Sequence, residues 1–431
     1  MKMKIFAVLL LLIAGGFVAV MMFQGRASSK AAYDTAVAAA RENAENGIPY
    51  MAIQNYKKAF QINGEDEELY REYIEQCKLL GDDNYLDAMK NYVRRFPASA
   101  AAYEMLCQYY YDMENYFMVM EIAVEAKEKE VATEKVRYLY IKCSVMFKQI
   151  GANYEEATSF LGKGAVVKFN GHYGFIDENG YYKISPEYDA AMPFLGGSTA
   201  VCKDEEWFMI NDTGYMVAKP SKKVDYLSFI NNGWVLVGIN GKYDYMNSSL
   251  KVPDNLRFEQ ATIFKNGVAA VKLPEGWRLI NSDLNYVSET VYEDICIDEF
   301  NACVNSGIIF AKKKGKWEML DVSGNTVCDN QFDDVCHFVS EGPAAVKIGE
   351  QWGFVSKTGE IVIQPEYEQA RSFGANLGAV CKDGLWGYIN PSNQMRIEYQ
   401  FEDCRSFSDN GIALIRDGES WHYIKLYSYL K

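Results

Sequence analysis

The hydrophobic pattern changes period twice along the chain. Residues 5–23 form a run of 19 residues without a charged or strongly polar side chain, preceded by Lys2 and Lys4. As a helix this run would span about 28 Å, close to the hydrocarbon thickness of a bilayer. From about residue 28 to 163, apolar side chains recur at intervals of three and four, with breaks at Gly47, Gly64, Gly81, Pro97, Asn115 and Gly151. That period predicts about eight amphipathic helices in four antiparallel pairs. From 164 to 431 the apolar runs shorten to the length of strands and are separated by glycine-containing turns such as Asn240-Gly241 and Asp383-Gly384. The predicted organisation is an N-terminal transmembrane segment (1–27), an all-α helical-hairpin repeat domain (28–163) and an all-β repeat domain (164–431).

The β segment carries a ruler. Trp207, Trp277, Trp317, Trp352, Trp386 and Trp421, with Tyr173 and Tyr243 filling the gaps, are spaced by 34, 36, 34, 40, 35, 34 and 35 residues. A fixed period of this size denotes a repeat architecture. Each unit reads as a marker strand (Trp352-Gly353-Phe354-Val355), a turn, and a second strand (Ile361-Val362-Ile363). An aromatic pair six residues apart follows (Tyr367 with Phe373), then a short apolar third strand leading to the next marker, as Ala344-Ala345-Val346 leads to Trp352. The fourth unit, with Tyr292 and Phe300 as its pair, carries two extra residues there.

These strings resemble the bacterial WG-repeat family, also described as KWG repeats. The resemblance rests on Gln351-Trp352-Gly353-Phe354, Leu385-Trp386-Gly387-Tyr388 and Gln364-Pro365-Glu366-Tyr367, and covers seven copies and a closing half-copy. It implies an all-β repeat domain on an envelope-associated protein and brings no catalytic residue. The helical segment resembles the tetratricopeptide repeat: Ala52, Tyr56 and Phe60 align with Ala88, Tyr92 and Phe96 at an offset of 36, and Pro97 closes the second copy. That likeness implies a stacked-helix surface. For the β domain, a propeller-like closed ring and an open stack of hairpins both fit. The segment begins with one kind of strand, at Ala165, and ends with its complement, at Trp421, and this offset favours closure. An open stack would leave two edges to cap.

Composition narrows the function. Lys and Arg total 44 against 58 Asp and Glu, a net charge of −14. This argues against a nucleic-acid partner, whose phosphates are bound through clustered cations. The apolar run at 5–23 exits into Gln24-Gly25-Arg26 with no small-x-small cleavage site, which favours a retained anchor over a cleaved signal. Lys2 and Lys4 favour a cytoplasmic N-terminus, placing the bulk of the chain outside the cytoplasm.

Ten cysteines show no C-x2-C pair, so neither a disulfide framework nor a zinc site is indicated. Cys328 and Cys336 are the one pair whose spacing invites a bridge. Three histidines, His172, His337 and His422, form no nucleophilic set in sequence, and the phosphate-loop and metalloprotease strings are absent. No catalytic residue, cofactor or metal ligand is expected. The expected role is non-catalytic protein–protein scaffolding at the membrane. Cell-wall or carbohydrate binding through exposed aromatics is the alternative. Trp234, the one tryptophan off the ruler, is the candidate contact for a sugar face, although it sits where a strand is expected to pack.

Overall fold

The computed structural model describes residues 28–429. The expected anchor at 5–23 lies outside them. Among the described residues no helix is long and apolar enough to cross a membrane. The chain divides after Ser144 into a helical unit and a β unit.

The helical unit contains seven helices among the described residues. The first covers 28–45; the others are Pro49–Ile62, Glu67–Leu79, Asp82–Arg95, Ala100–Asp112, Tyr116–Glu128 and Glu134–Cys143. Polar caps fix several starts: Asp66, Ser99, Asn115 and Thr133 each accept a hydrogen bond from the backbone three residues on. Consecutive helices pack on one another through the aromatics the pattern singled out. Tyr70 lies 5.1 Å from Phe60 and 5.6 Å from Tyr92, while Ala52 and Ala88 allow close approach beneath them. Of the Tyr109–Tyr111 triplet, Tyr110 is buried and its neighbours half-buried, so these rings pack rather than line an open groove.

The predicted eighth helix does not form. Phe147–Tyr154 is a β-strand, paired antiparallel with Ser420–Leu426 at the far end of the chain. The helical reading of 145–163 is corrected accordingly. Asn153 and Tyr154 belong to this strand, and Glu156 and Ala157 open the first blade. Gly151, at φ 70°, interrupts a helix but suits the irregular pairing between Ile150 and Tyr154. Tertiary pairing overrides local propensity here.

The β unit is an eight-bladed propeller. The blades span 156–188, 190–218, 226–247, 260–281, 294–321, 334–367 and 369–401, and the eighth joins 403–426 to the strand at 147–154. The seven copies and half-copy of the sequence therefore make eight blades. The ring closes physically: eight hydrophobic clusters each join one blade to the next, and one, with Tyr154, Phe160, Val167 and Tyr423, seals blade 8 to blade 1. Tyr423 Oη donates to Thr158 O at 2.8 Å across this seam. The open-stack alternative is thereby overturned. The sealing strand precedes the first repeat, so the ring is clasped by a segment that the repeat pattern does not include.

The repeat signature has a steric cause. Gly174, Gly353 and Gly387 follow the marker in blades 1, 6 and 7, and those blades carry outer strands of seven residues. That strand bulges over the glycine. A Cβ would lie 2.7 Å from Pro186 N at Gly174 and 2.6 Å from Ile363 O and Ile397 O at the other two. Blades 3, 4 and 5 place Asp244, Arg278 and Glu318 there and have only three strands. In blade 3 the side chain is put to use: Asp244 is buried and receives Arg257 through two hydrogen bonds of 2.7 and 2.6 Å.

Candidate functional site

All eight ruler residues stand on the third strand of their blades. Trp277, Trp317 and Trp386 are buried, whereas Tyr173, Trp207, Tyr243, Trp352 and Trp421 are half-buried. Their rings meet cations on the neighbouring strand: Lys168 over Tyr173 at 5.2 Å, and Lys272 and Lys312 over Trp277 and Trp317, each at 5.7 Å. These positions build blades. Trp234 opens the second strand of blade 3 and is half-buried. Its indole Nε1 donates to Ser282 O at 3.1 Å, and its ring packs on Phe264 and Tyr245. Trp234 therefore takes part in an inter-blade contact.

The chemistry gathers elsewhere, where the innermost strands end. A cavity of about 480 Å³ opens there, lined by residues of blades 1, 4, 5, 6, 7 and 8. An insertion in blade 5 shapes it. Cys296 N bonds Phe310 O as Thr262 N bonds Ala270 O in blade 4, and Asn305 N bonds Ile308 O as Lys265 N bonds Val268 O. Between those matched points blade 5 holds six residues more, 297–302, rather than the two extra inferred from the Tyr292–Phe300 spacing. The insertion accounts for the 40-residue step in the ruler. Val304, not Phe300, occupies the core position of the repeat aromatic, and Phe300 stands half-buried at the cavity wall.

Asp298 organises the inserted loop. Its Oδ1 accepts from the backbone of Phe300 and Ala302 at 3.0 and 2.8 Å, and its Oδ2 lies 3.6 Å from Lys265 Nζ. At the tip, Glu299 Oε2 accepts Ser159 N at 3.0 Å. Ser159 belongs to blade 1, opposite blade 5 in a ring of eight, so this contact spans the central axis.

The remaining wall is cationic. Arg371 and Arg405 occupy equivalent inner-strand positions of blades 7 and 8 and stack on Trp386 and Trp421 at 4.9 and 5.1 Å. Arg371 Nη2 donates to Asp403 Oδ1 at 3.0 Å. Burial, and then repulsion from Arg371, lowers the Arg405 guanidinium below its ordinary pKa. Burial also lowers His337, against the opposing pull of Asp298 and Glu299. Cys336, donating to Ala370 O at 3.6 Å, is pushed up to about 11 by burial and is a poor nucleophile there.

All ten cysteines are free. Cys328 sits by Met319 Sδ, beyond the third strand of blade 5, while Cys336 directly follows the inner strand of blade 6, and the suspected bridge does not form. Among the described residues no group of three or more His, Cys, Asp or Glu side chains converges on a metal position. The sequence reading missed Lys265, Asp298, Glu299, Arg371 and Arg405. The usable signal was the 40-residue step, together with arginine at a position that holds Thr158, Ser228 and Thr262 in other blades.

In sequence, the family described as WG containing repeat matches residues 173–207, 352–386 and 386–421. These segments start at the markers of the three blades that keep the glycine. No curated protein matches the chain. Among solved structures, a eukaryotic initiation factor is similar at 13% identity over 66% of this chain and 88% of that one, with a TM-score of 0.44. Dihydro-heme d1 dehydrogenase NirN in complex with DHE is similar at 12% identity over 70% and 82%, with a TM-score of 0.42. Kluyveromyces lactis Hsv2 is similar at 11% identity over 61% and 90%, with a TM-score of 0.34. No function follows from likenesses of this size.

Proposed function

We propose that this protein is a non-catalytic protein-binding scaffold of the bacterial envelope, held to the cell membrane by residues 5–23 with its bulk outside the cytoplasm. In this reading the mouth of the propeller channel is the recognition face, and the tetratricopeptide-like helices offer a second surface. One observation carries the proposal: the repeated aromatics are committed to the blades, whereas unrepeated charged residues of blades 4, 5, 7 and 8 converge on one cavity that six blades line. Residues that build a scaffold repeat with it; residues that recognise a partner need not.

The test is photocrosslinking in intact cells. A crosslinking amino acid in place of Asp409, exposed at the channel mouth, is expected to capture a discrete protein, whereas one at Lys313, exposed at the end of the second strand of blade 5, is not. Equal capture at both positions, or none at the mouth or along the helical unit, overturns the reading.

A second reading, wall or glycan binding, is favoured by Tyr181 and Tyr215, which are 72% and 73% exposed at the turns of blades 1 and 2. It predicts co-sedimentation of the protein with purified cell wall, lost on changing both tyrosines to alanine.

A further inference from the structure

The cavity wall has unmet hydrogen-bonding capacity of one sign. Arg371 Nε is buried without a partner, and so is Asn305 Nδ2. The orientation of the Asn305 amide is fixed, because its Oδ1 accepts Lys265 Nζ at 2.7 Å. The Arg405 guanidinium, stacked on Trp421, makes no hydrogen bond or ion pair among the described residues. Every one of these groups is a donor. Buried donors are ordinarily satisfied, and those left open at a cavity call for an acceptor.

The two arginines are also a departure from the repeat. The equivalent position carries Thr158, Met192, Ser228, Thr262, Cys296 and Cys336 in the other six blades. Only blades 7 and 8 place guanidinium groups there, side by side. Asp403 cannot satisfy both: it receives Arg371 at 3.0 Å and stands 3.9 Å from Arg416.

We propose that the channel mouth is a carboxylate-binding site, with Arg405 and Arg371 as its cationic clamp and Asn305 as a neutral donor on its wall. The inference rests on the binding reading above and names the chemistry its partner presents. A planar carboxylate matches the guanidinium fork. A dianion is disfavoured because Asp298 and Glu299 already stand in the wall. Those two acids do not quench the site: Asp298 is engaged by Lys265 and two backbone amides, and Glu299 by Ser159 N. The carboxylate comes either from a polypeptide partner, as a chain end or acidic side chain, or from a small free acid.

Calorimetric titration of the full 431-residue chain tests this. The probes are N-acetylglycylglycine, its C-terminal amide, acetate and inorganic phosphate. The acid is expected to bind and the amide to bind at least about tenfold more weakly, the loss of one charge-assisted hydrogen bond or more. Arg405→Met, which removes no internal hydrogen bond, and Arg371→Met should each weaken the acid by about tenfold, with Lys313→Met unchanged. Acetate binding as tightly as the peptide supports the site with a small acid as its source; tighter peptide binding supports a polypeptide source. Equal binding of acid and amide, preference for phosphate, no binding, or an unaltered Arg405→Met each overturns the inference. Crosslinks from the mouth that persist in Arg405→Met would then leave the scaffold reading standing without it.

Discussion

Blades 5 and 6 are neighbours built from one repeat, and they have taken different paths. Blade 6 keeps Trp352-Gly353, a long outer strand and a buried aromatic at the end of its inner strand: Phe338 is 1% exposed and stacks on Phe310 of blade 5 at 5.7 Å. Blade 5 has Trp317-Glu318, three strands and an insertion, and its aromatic Phe300 has left the core for the cavity. The cores on both sides of blade 5 stay filled: Val304 takes the position that Phe300 vacates in the core shared with blade 4, and Phe338 fills the core shared with blade 6. A closed ring thus tolerates a blade that loses its outer strand, provided the inter-blade core stays filled. In blade 5 it is the inserted segment 297–302 that reaches the channel.

Three experiments test the difference between the two blades. The largest effect is expected at the aromatic position. Phe338→Ala should cost about 3–5 kcal/mol and Phe300→Ala less than about 1 kcal/mol by urea unfolding of the full chain. Equal costs would mean that Phe300 still serves the core.

Next comes the position after the marker. Gly353→Ala forces a Cβ to within 2.6 Å of Ile363 O, and about 1–3 kcal/mol should be lost; Glu318→Ala, on a blade with no outer strand to displace, should stay within about 0.5 kcal/mol. A neutral Gly353→Ala would reject the steric account of the signature.

The smallest effect is the pH dependence contributed by His337 of blade 6. His337 is held below its ordinary pKa by burial, facing Asp298, Glu299, Lys265 and Arg371. The unfolded chain therefore takes up a proton first. The contribution is present in full above about pH 6.5 and declines as the pH falls toward the folded value. His422 is lowered too and acts in the same direction, so His337 is read as the difference between the parent and His337→Gln at pH 7.5 and 5.5. The variant should show the shallower loss at low pH; parallel curves would remove His337 from the balance.

The scaffold was legible in the sequence and the site was not. Trp and Tyr at a fixed period fixed the number of strand units, because each unit must bury a large aromatic at the same place. The Ala52-Tyr56-Phe60 and Ala88-Tyr92-Phe96 faces located packed helices in the same way. Local pattern misled where a segment had no repeat of its own: residues 147–154 look helical in isolation and become a strand only because Trp421 to Leu426 offers them an edge.

The periodic core follows from the order of residues alone, since burial of apolar side chains is roughly additive and repeats with the residues that supply it. Ring closure, the sealing strand and the channel mouth arise only in the folded ring. These depend on residues brought together from opposite ends of the chain and from opposite blades, as Glu299 meets Ser159 and Tyr423 meets Thr158. Such contacts leave no period in the sequence. Their free energy arises from proximity across the closed ring, which no local segment contains.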